Sequence, residues 1–222
     1  FSWVANELDQ SQHDDMDDVL AVGTAAALIR LSVWQELGGF DEAAPPLAAD
    51  VDFSIRVRLA GHRVAVVPAA KVRHAALSIR GERQHGWQSS KKTALRRAEI
   101  HLRLAYLPLP SALLYWLFLP LIGLWLSALR IAQKRPNRIV AELSAALWGF
   151  FTLGARLHSR SKTAGLSGGR SIKRFASLRA SRAEVREARS YRAAVETAVD
   201  ESTAADGFAA VVAGAQPSER AS

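Results

Sequence analysis

Residues 104–129 run for 26 positions without a charged side chain. No other feature constrains the fold as tightly, because so long an apolar run has to be buried in a protein core or in lipid. As a helix it covers about 39 Å at roughly 1.5 Å per residue, more than the ~30 Å hydrocarbon layer of a bilayer. Tyr106 and Trp125 stand near its ends, where aromatic belts sit. Pro108 and Pro110 suit an entry at the interface, and Pro120 is expected to kink the span. The pattern predicts a transmembrane helix over 104–130, with a buried core helix as the alternative. A second apolar stretch, 139–157, has only 13 uncharged residues between Glu142 and Arg156. That is short for a span, so it is read as either a second transmembrane helix or an interfacial one.

Charge sorts around these segments. Residues 1–90 carry 8 Lys/Arg and 12 Asp/Glu, residues 91–192 carry 20 and 4, and the tail from 193 carries 1 and 5. A basic block of this kind fits nucleic acid or an anionic membrane surface. Its cations flank the apolar stretches and form no motif that reads bases, so anionic lipid is the expected partner and nucleic acid is not. Lys91, Lys92, Arg96, Arg97 and Arg103 make 91–103 a basic interfacial helix. If 139–157 spans, both basic flanks lie on the cytoplasmic side, while Arg130, Lys134, Arg135 and Arg138 in the connecting loop argue against exporting it. Residues 158–222, basic and then acidic, are expected to be largely disordered. The chain has no cysteine, which excludes disulfides, thiolate zinc sites and a cysteine nucleophile. It opens at Phe1 without a targeting pattern and is read as a piece of a longer chain, expected to be inactive alone.

Residues 1–90 read as a small α/β unit. Residues 19–29 and 63–67 have the pattern of buried strands, the second stopped by Pro68. Ser32 and Gln35 fit a capping box opening a short helix that Gly38 ends by taking φ > 0. Residues 50–60 read as a further helix with Val51, Ile55 and Leu59 on one stripe, closed by Gly61. Asp50 and Asp52 open that helix, at the positive end of its dipole. A carboxylate there either caps the helix or serves as a base at the lip of a cleft.

The order Trp34-Gln35-Glu36-Leu37-Gly38-Gly39-Phe40-Asp41, Asp50-Val51-Asp52-Phe53, Arg56, Ala60-Gly61-His62-Arg63-Val64 and Val72-Arg73-His74 resembles the acceptor-side half of family 2 glycosyltransferases, over about residues 19–80. The resemblance implies a partial GT-A (Rossmann-like) domain over 1–90, an inverting reaction, a nucleotide-sugar donor and a divalent metal, Mg or Mn. It places the family's general base on Asp50, with Asp52 in support. It also puts His74, 24 residues further on, beside the metal, whose other ligands are expected outside this chain. Gly38 and Gly39 would shape the acceptor side. Arg80 and Arg83 either neutralise the departing diphosphate or belong to a solvated loop, and Trp87 either borders the acceptor or approaches the membrane. Two departures stand out. Ala49 occupies the motif's first acidic position, and the donor-side Asp-x-Asp is missing; the acidic run at His13-Asp14-Asp15 and Asp17-Asp18 is no convincing substitute.

The expected function is transfer of a sugar to a cell-envelope polysaccharide or lipid-linked acceptor, at the cell membrane with the catalytic portion facing the cytoplasm. The alternative is a non-catalytic membrane adaptor built on a degenerate glycosyltransferase fold.

Overall fold

In a computed structural model of the chain, the structure describes residues 18–70, 72, 86–134, 136–167 and 190, with the side chains of 25, 87–91, 137 and 167 excepted. All of these except Ser190 lie in one compact unit, Ser11–Leu178. Among them are six α-helices: α1 (Leu31–Glu36), α2 (Ala49–Leu59), α3 (Gly86–Tyr106), α4 (Leu109–Ala132), α5 (Ile139–Phe151) and α6 (Leu153–Ser167).

The α/β, Rossmann-like GT-A expectation is overturned, since 69% of this chain's interpretable residues are helical and none forms a strand. The two segments expected to be strands do meet, but through a single backbone bond, Val19 N–H to the Val64 carbonyl at 2.9 Å. The Arg58 guanidinium occupies the carbonyls a ladder would use, reaching Val19 O at 2.6 Å and Val64 O at 2.7 Å. Part of 19–29 instead winds into a 3-10 turn, Thr24–Ala26. One bond saturated by a guanidinium makes no sheet.

α1 starts one residue before the expected box. Arg30 is its N-cap, so Ser32 lies inside the helix and makes no cap bond. Its end follows expectation, with Gly38 at φ +67° and Gly39 at φ +71°. This double left-handed turn drops Phe40 onto Trp34 and Phe53, with ring centroids 4.9 and 5.6 Å away. The two glycines are not equivalent. A Cβ on Gly38 meets nothing within 4 Å, whereas one on Gly39 falls 2.9 Å from the Trp34 ring. Gly38→Ala should therefore cost about 1 kcal/mol of backbone strain. Gly39→Ala should cost about 1–3 kcal/mol more through the clash, and urea denaturation of the two variants measures the difference.

α2 is more deeply buried than a single apolar stripe would require. Every residue from Asp52 to Leu59 is buried, two arginines included. Its carboxylates lie in the first turn and Arg56 and Arg58 in the last, which complements the helix dipole. Phe53 and Val57 join Val33, Leu37 and Val64 in one core, against which Leu166 of α6 also packs.

The apolar run divides into two unequal parts. Leu104, Ala105 and Tyr106 finish α3 and are buried in the protein. The break falls at Leu107–Pro108, because proline has no N–H to donate and restricts the residue before it. α4 then starts with Pro110 in its first turn and continues as one helix through Pro120. It is long and apolar enough to cross a membrane, and only 22% of its apolar window is buried inside the protein. Leu114, Leu117, Leu121, Leu124 and Trp125 are more than half exposed on it. Small residues bring α4 and α5 together: a Cβ on Gly123 of α4 would lie 2.6 Å from that of Ala146, and one on Gly149 of α5 would strike Ile100 and Leu119. Glycines here let three helices approach closely. Arg96 of α3 and Arg130 of α4 both pair with the buried Glu142 of α5, at 2.9 and 3.0 Å.

The second apolar stretch is two helices, α5 and α6, bent by 67° at Thr152. α6 carries the helical structure to Ser167, so 158–167 are ordered helix rather than tail. Residues 168–222, Ser190 apart, lie outside the described residues.

Candidate active site

Asp50 and Asp52 stand two residues apart on α2, so at about 100° per residue their side chains leave opposite sides of the helix. Their surroundings differ accordingly. The half-buried Asp50 faces the loop at Gly23 and Thr24: its Oδ2 lies 3.8 Å from where a Cβ on Gly23 would stand. Oδ1 accepts the Val51 N–H at 2.9 Å. Below it, the Ser54 hydroxyl donates to the Asp50 carbonyl at 2.8 Å and accepts the Val22 N–H at 3.3 Å, which pins the loop to the helix. Among the described residues no cation pairs with Asp50. Burial pushes its carboxyl up from the ordinary range against the N–H bonds that lower it, including that of Thr24. A carboxylate of raised pKa that retains partial exposure can take a proton from a bound hydroxyl.

Asp52 is 1% exposed. Tyr106 O–H donates to its Oδ1 at 2.6 Å and Arg56 Nε–H to its Oδ2 at 2.8 Å. The Arg56 guanidinium goes on to the carbonyls of Leu37 (3.0 Å) and Gly39 (2.8 Å). Asp52 therefore locks the double-glycine turn onto α2. His101 of α3 completes its surroundings. Arg156 donates to His101 Nδ1 at 2.8 Å, which leaves the ring proton on Nε2, and Nε2 faces Asp52 Oδ1 at 3.7 Å. Burial opposes ionisation of Asp52, but His101, Arg56 and Tyr106 outweigh it and hold the carboxyl below the usual carboxylate range.

The glycines of the turn are brought to the same network as Asp52, on the side of α2 away from Asp50. The backbone of Trp87 falls in the first turn of α3. His74, Arg80 and Arg83 lie outside the described residues, as does the acidic run His13-Asp14-Asp15 with Asp17. Asp18 is described, and it pairs with Arg58 and Arg63 at 3.0 Å each. Among the described residues no group of three or more His, Asp or Glu side chains is placed to hold a metal ion. Asp52, with both oxygens taken, has no coordination site to offer.

The comparisons with known proteins give one match. A family model described as glycosyltransferase like family 2 covers residues 5–98. Residues 5–98 are similar to family 2 glycosyltransferases. No curated protein and no solved structure matches the chain. The match takes in α1, α2 and the first part of α3, ending at Ala98 inside that helix.

Three residues that the motif reading did not single out complete the surroundings of Asp52: His101, Tyr106 and Arg156. His101 carried a usable signal. It lies three after Ala98 and four before Ala105, both buried, and so is a polar residue on an apolar helical stripe. Tyr106 carried none, because its place at the end of the uncharged run fits a membrane-belt tyrosine equally well.

Proposed function

We propose that this chain is the acceptor side of a membrane-associated, inverting glycosyltransferase in which Asp50 is the general base. A family 2 segment supports glycosyl transfer in general. The observation that carries the finer reading is the contrast between the two carboxylates: Asp52 is consumed by the fold, while Asp50 keeps partial exposure and a raised pKa at the start of a helix. In the reaction, an acceptor hydroxyl attacks the anomeric carbon of a nucleotide sugar. Asp50 takes its proton, and the nucleoside diphosphate leaves with the electron pair of the broken C–O bond. Family 2 enzymes commonly use a divalent metal. The described residues do not form a seat for one, so no step here passes through it.

The exposed apolar face of α4 and the basic residues of α3 support a seat at an anionic bilayer, with α4 crossing it and the glycosyltransferase segment on the cytoplasmic side. Membrane placement favours a lipid-linked or envelope-polysaccharide acceptor.

The test supplies membranes holding the protein with radiolabelled UDP-glucose, UDP-N-acetylglucosamine or GDP-mannose. Label should enter the lipid or polysaccharide fraction with release of the nucleoside diphosphate. Absence of transfer and of donor hydrolysis across this panel would favour the adaptor reading, which Ala49 beside Asp50 keeps in play.

A further inference from the structure

The Asp52 network does more than neutralise a buried carboxylate. Arg56, four residues along the same helix, already supplies the counter-charge at 2.8 Å. Yet α3 contributes Tyr106 at 2.6 Å and His101 at 3.7 Å, and α6 contributes Arg156 behind His101 at 2.8 Å. A second set of contacts runs beside it. Lys162 of α6 reaches Asp41, just past the double-glycine turn, at 3.4 Å. Arg160 binds the carbonyls of Leu104, Ala105 and Leu107 at 2.9, 3.1 and 2.7 Å, tying α6 to the end of α3. The family match ends at residue 98, so His101, Tyr106, Arg156, Arg160 and Lys162 all lie beyond the glycosyltransferase segment. Of these, Tyr106 and His101 reach α2 itself, at Asp52, and Asp50 leaves the other side within the same turn.

We propose that Tyr106 and His101 are positioning residues: by holding Asp52, they let the helices that follow the glycosyltransferase segment set the seat of Asp50 against the Gly23–Thr24 loop. The effect on catalysis rests on reading Asp50 as the base. Its mechanical part, the hold on the first turn of α2, does not.

The link has a defined chemistry. Tyr106 is fully enclosed, and burial beside the Asp52 charge raises its phenol well above the ordinary range, so it stays a donor. His101 accepts from Arg156 at Nδ1 and turns Nε2 toward Asp52. Tyr106 bonds Asp52 from α3 at 2.6 Å, and His101 presents Nε2 to the same oxygen at 3.7 Å. Loosening them frees the first turn of α2, lets water to Asp50 and lowers its pKa toward the ordinary value.

The experiment compares wild type, Tyr106→Phe, His101→Gln and Asp50→Asn in the full-length protein in membranes or detergent. Hydrogen exchange of the amides at 51–54 is read first, since it needs no turnover. The pH dependence of kcat/KM follows, for whichever of UDP-glucose, UDP-N-acetylglucosamine or GDP-mannose the wild type consumes. Donor affinity is measured with UDP or GDP. Tyr106→Phe and His101→Gln should each speed exchange at 51–54 at least tenfold while the thermal midpoint shows a folded protein. They should lower kcat about 10–100-fold with donor affinity within twofold, and move the acid limb of the profile to lower pH. Unchanged exchange at 51–54 in both variants would overturn the proposal. An unchanged pH profile, with activity falling only as the folded fraction falls, would also overturn it, since that marks a purely structural pair. If Asp50→Asn turns over normally, the base assignment fails by itself and hydrogen exchange alone decides whether the helices hold α2.

Discussion

Asp52→Ala should destabilise the protein by about 3–5 kcal/mol, the cost of stranding one member of a buried ion pair. The Arg56 guanidinium, 3% exposed, would keep its two carbonyl partners and lose its one counter-charge among the described residues. The Tyr106 hydroxyl would lose its 2.6 Å acceptor. For a domain of ordinary stability a loss of this size takes most of the folding free energy, and poor yield is the expected symptom. Asp52→Asn keeps the shape and removes the titrating charge, but its one oxygen serves either Tyr106 or Arg56 while its NH2 faces the other donor, so it also gives up a hydrogen bond. Because the folded-state pKa of Asp52 is depressed, its stabilisation is present above the unfolded carboxylate value and lost as pH falls through the folded one. Urea midpoints measured from neutral to acid pH should therefore fall less steeply for Asp52→Asn than for wild type. Parallel curves would mean that the network does not depend on the charge.

The sequence carried local backbone features well and long-range ones badly. Gly38, α2 and the span-like α4 were legible because a positive-φ turn, a helical run opened by carboxylates and closed by glycine, and an uncharged run are each set within a few residues of one another. The sheet was misread because a β-branched apolar segment shows its propensity and not its pairing. Val19 and Val64 do pair, but a buried arginine six residues from Val64 takes over the oxygens that would extend the pairing. The placement of Tyr106 was lost for a related reason. An uncharged run says that its members avoid water, and does not say whether lipid or protein covers them. At 107–108 the protein cover gives out: Tyr106 is buried, while most of the apolar window of α4 is not.

The candidate site was half legible. The resemblance named both Asp50 and Asp52 but assigned them shared duty. Their opposite surroundings come from the helical turn between them and from α3 and α6, which start 34 and 101 residues after Asp52. Nothing within the motif announces partners at that separation.

Asp50→Asn should have the opposite profile to Asp52→Ala. Asp50 is pushed up by burial, so its contribution to stability is present below the unfolded value and lost as pH rises through the folded one. At neutral pH the ionised carboxylate therefore opposes folding, and the amide removes that cost while its oxygen still accepts the Val51 N–H. The thermal midpoint of Asp50→Asn should equal or exceed that of wild type. Transfer should fall at least about a hundredfold, the usual contribution of a positioned general base.

That substitution also supplies the most direct test of Asp50 as the base. Transfer of labelled sugar to the membrane acceptor is measured for wild type and Asp50→Asn at equal folded concentration, with UDP or GDP affinity measured alongside. The predicted result is loss of transfer with nucleotide affinity and thermal midpoint retained. Transfer by Asp50→Asn within a few-fold of wild type would contradict the account.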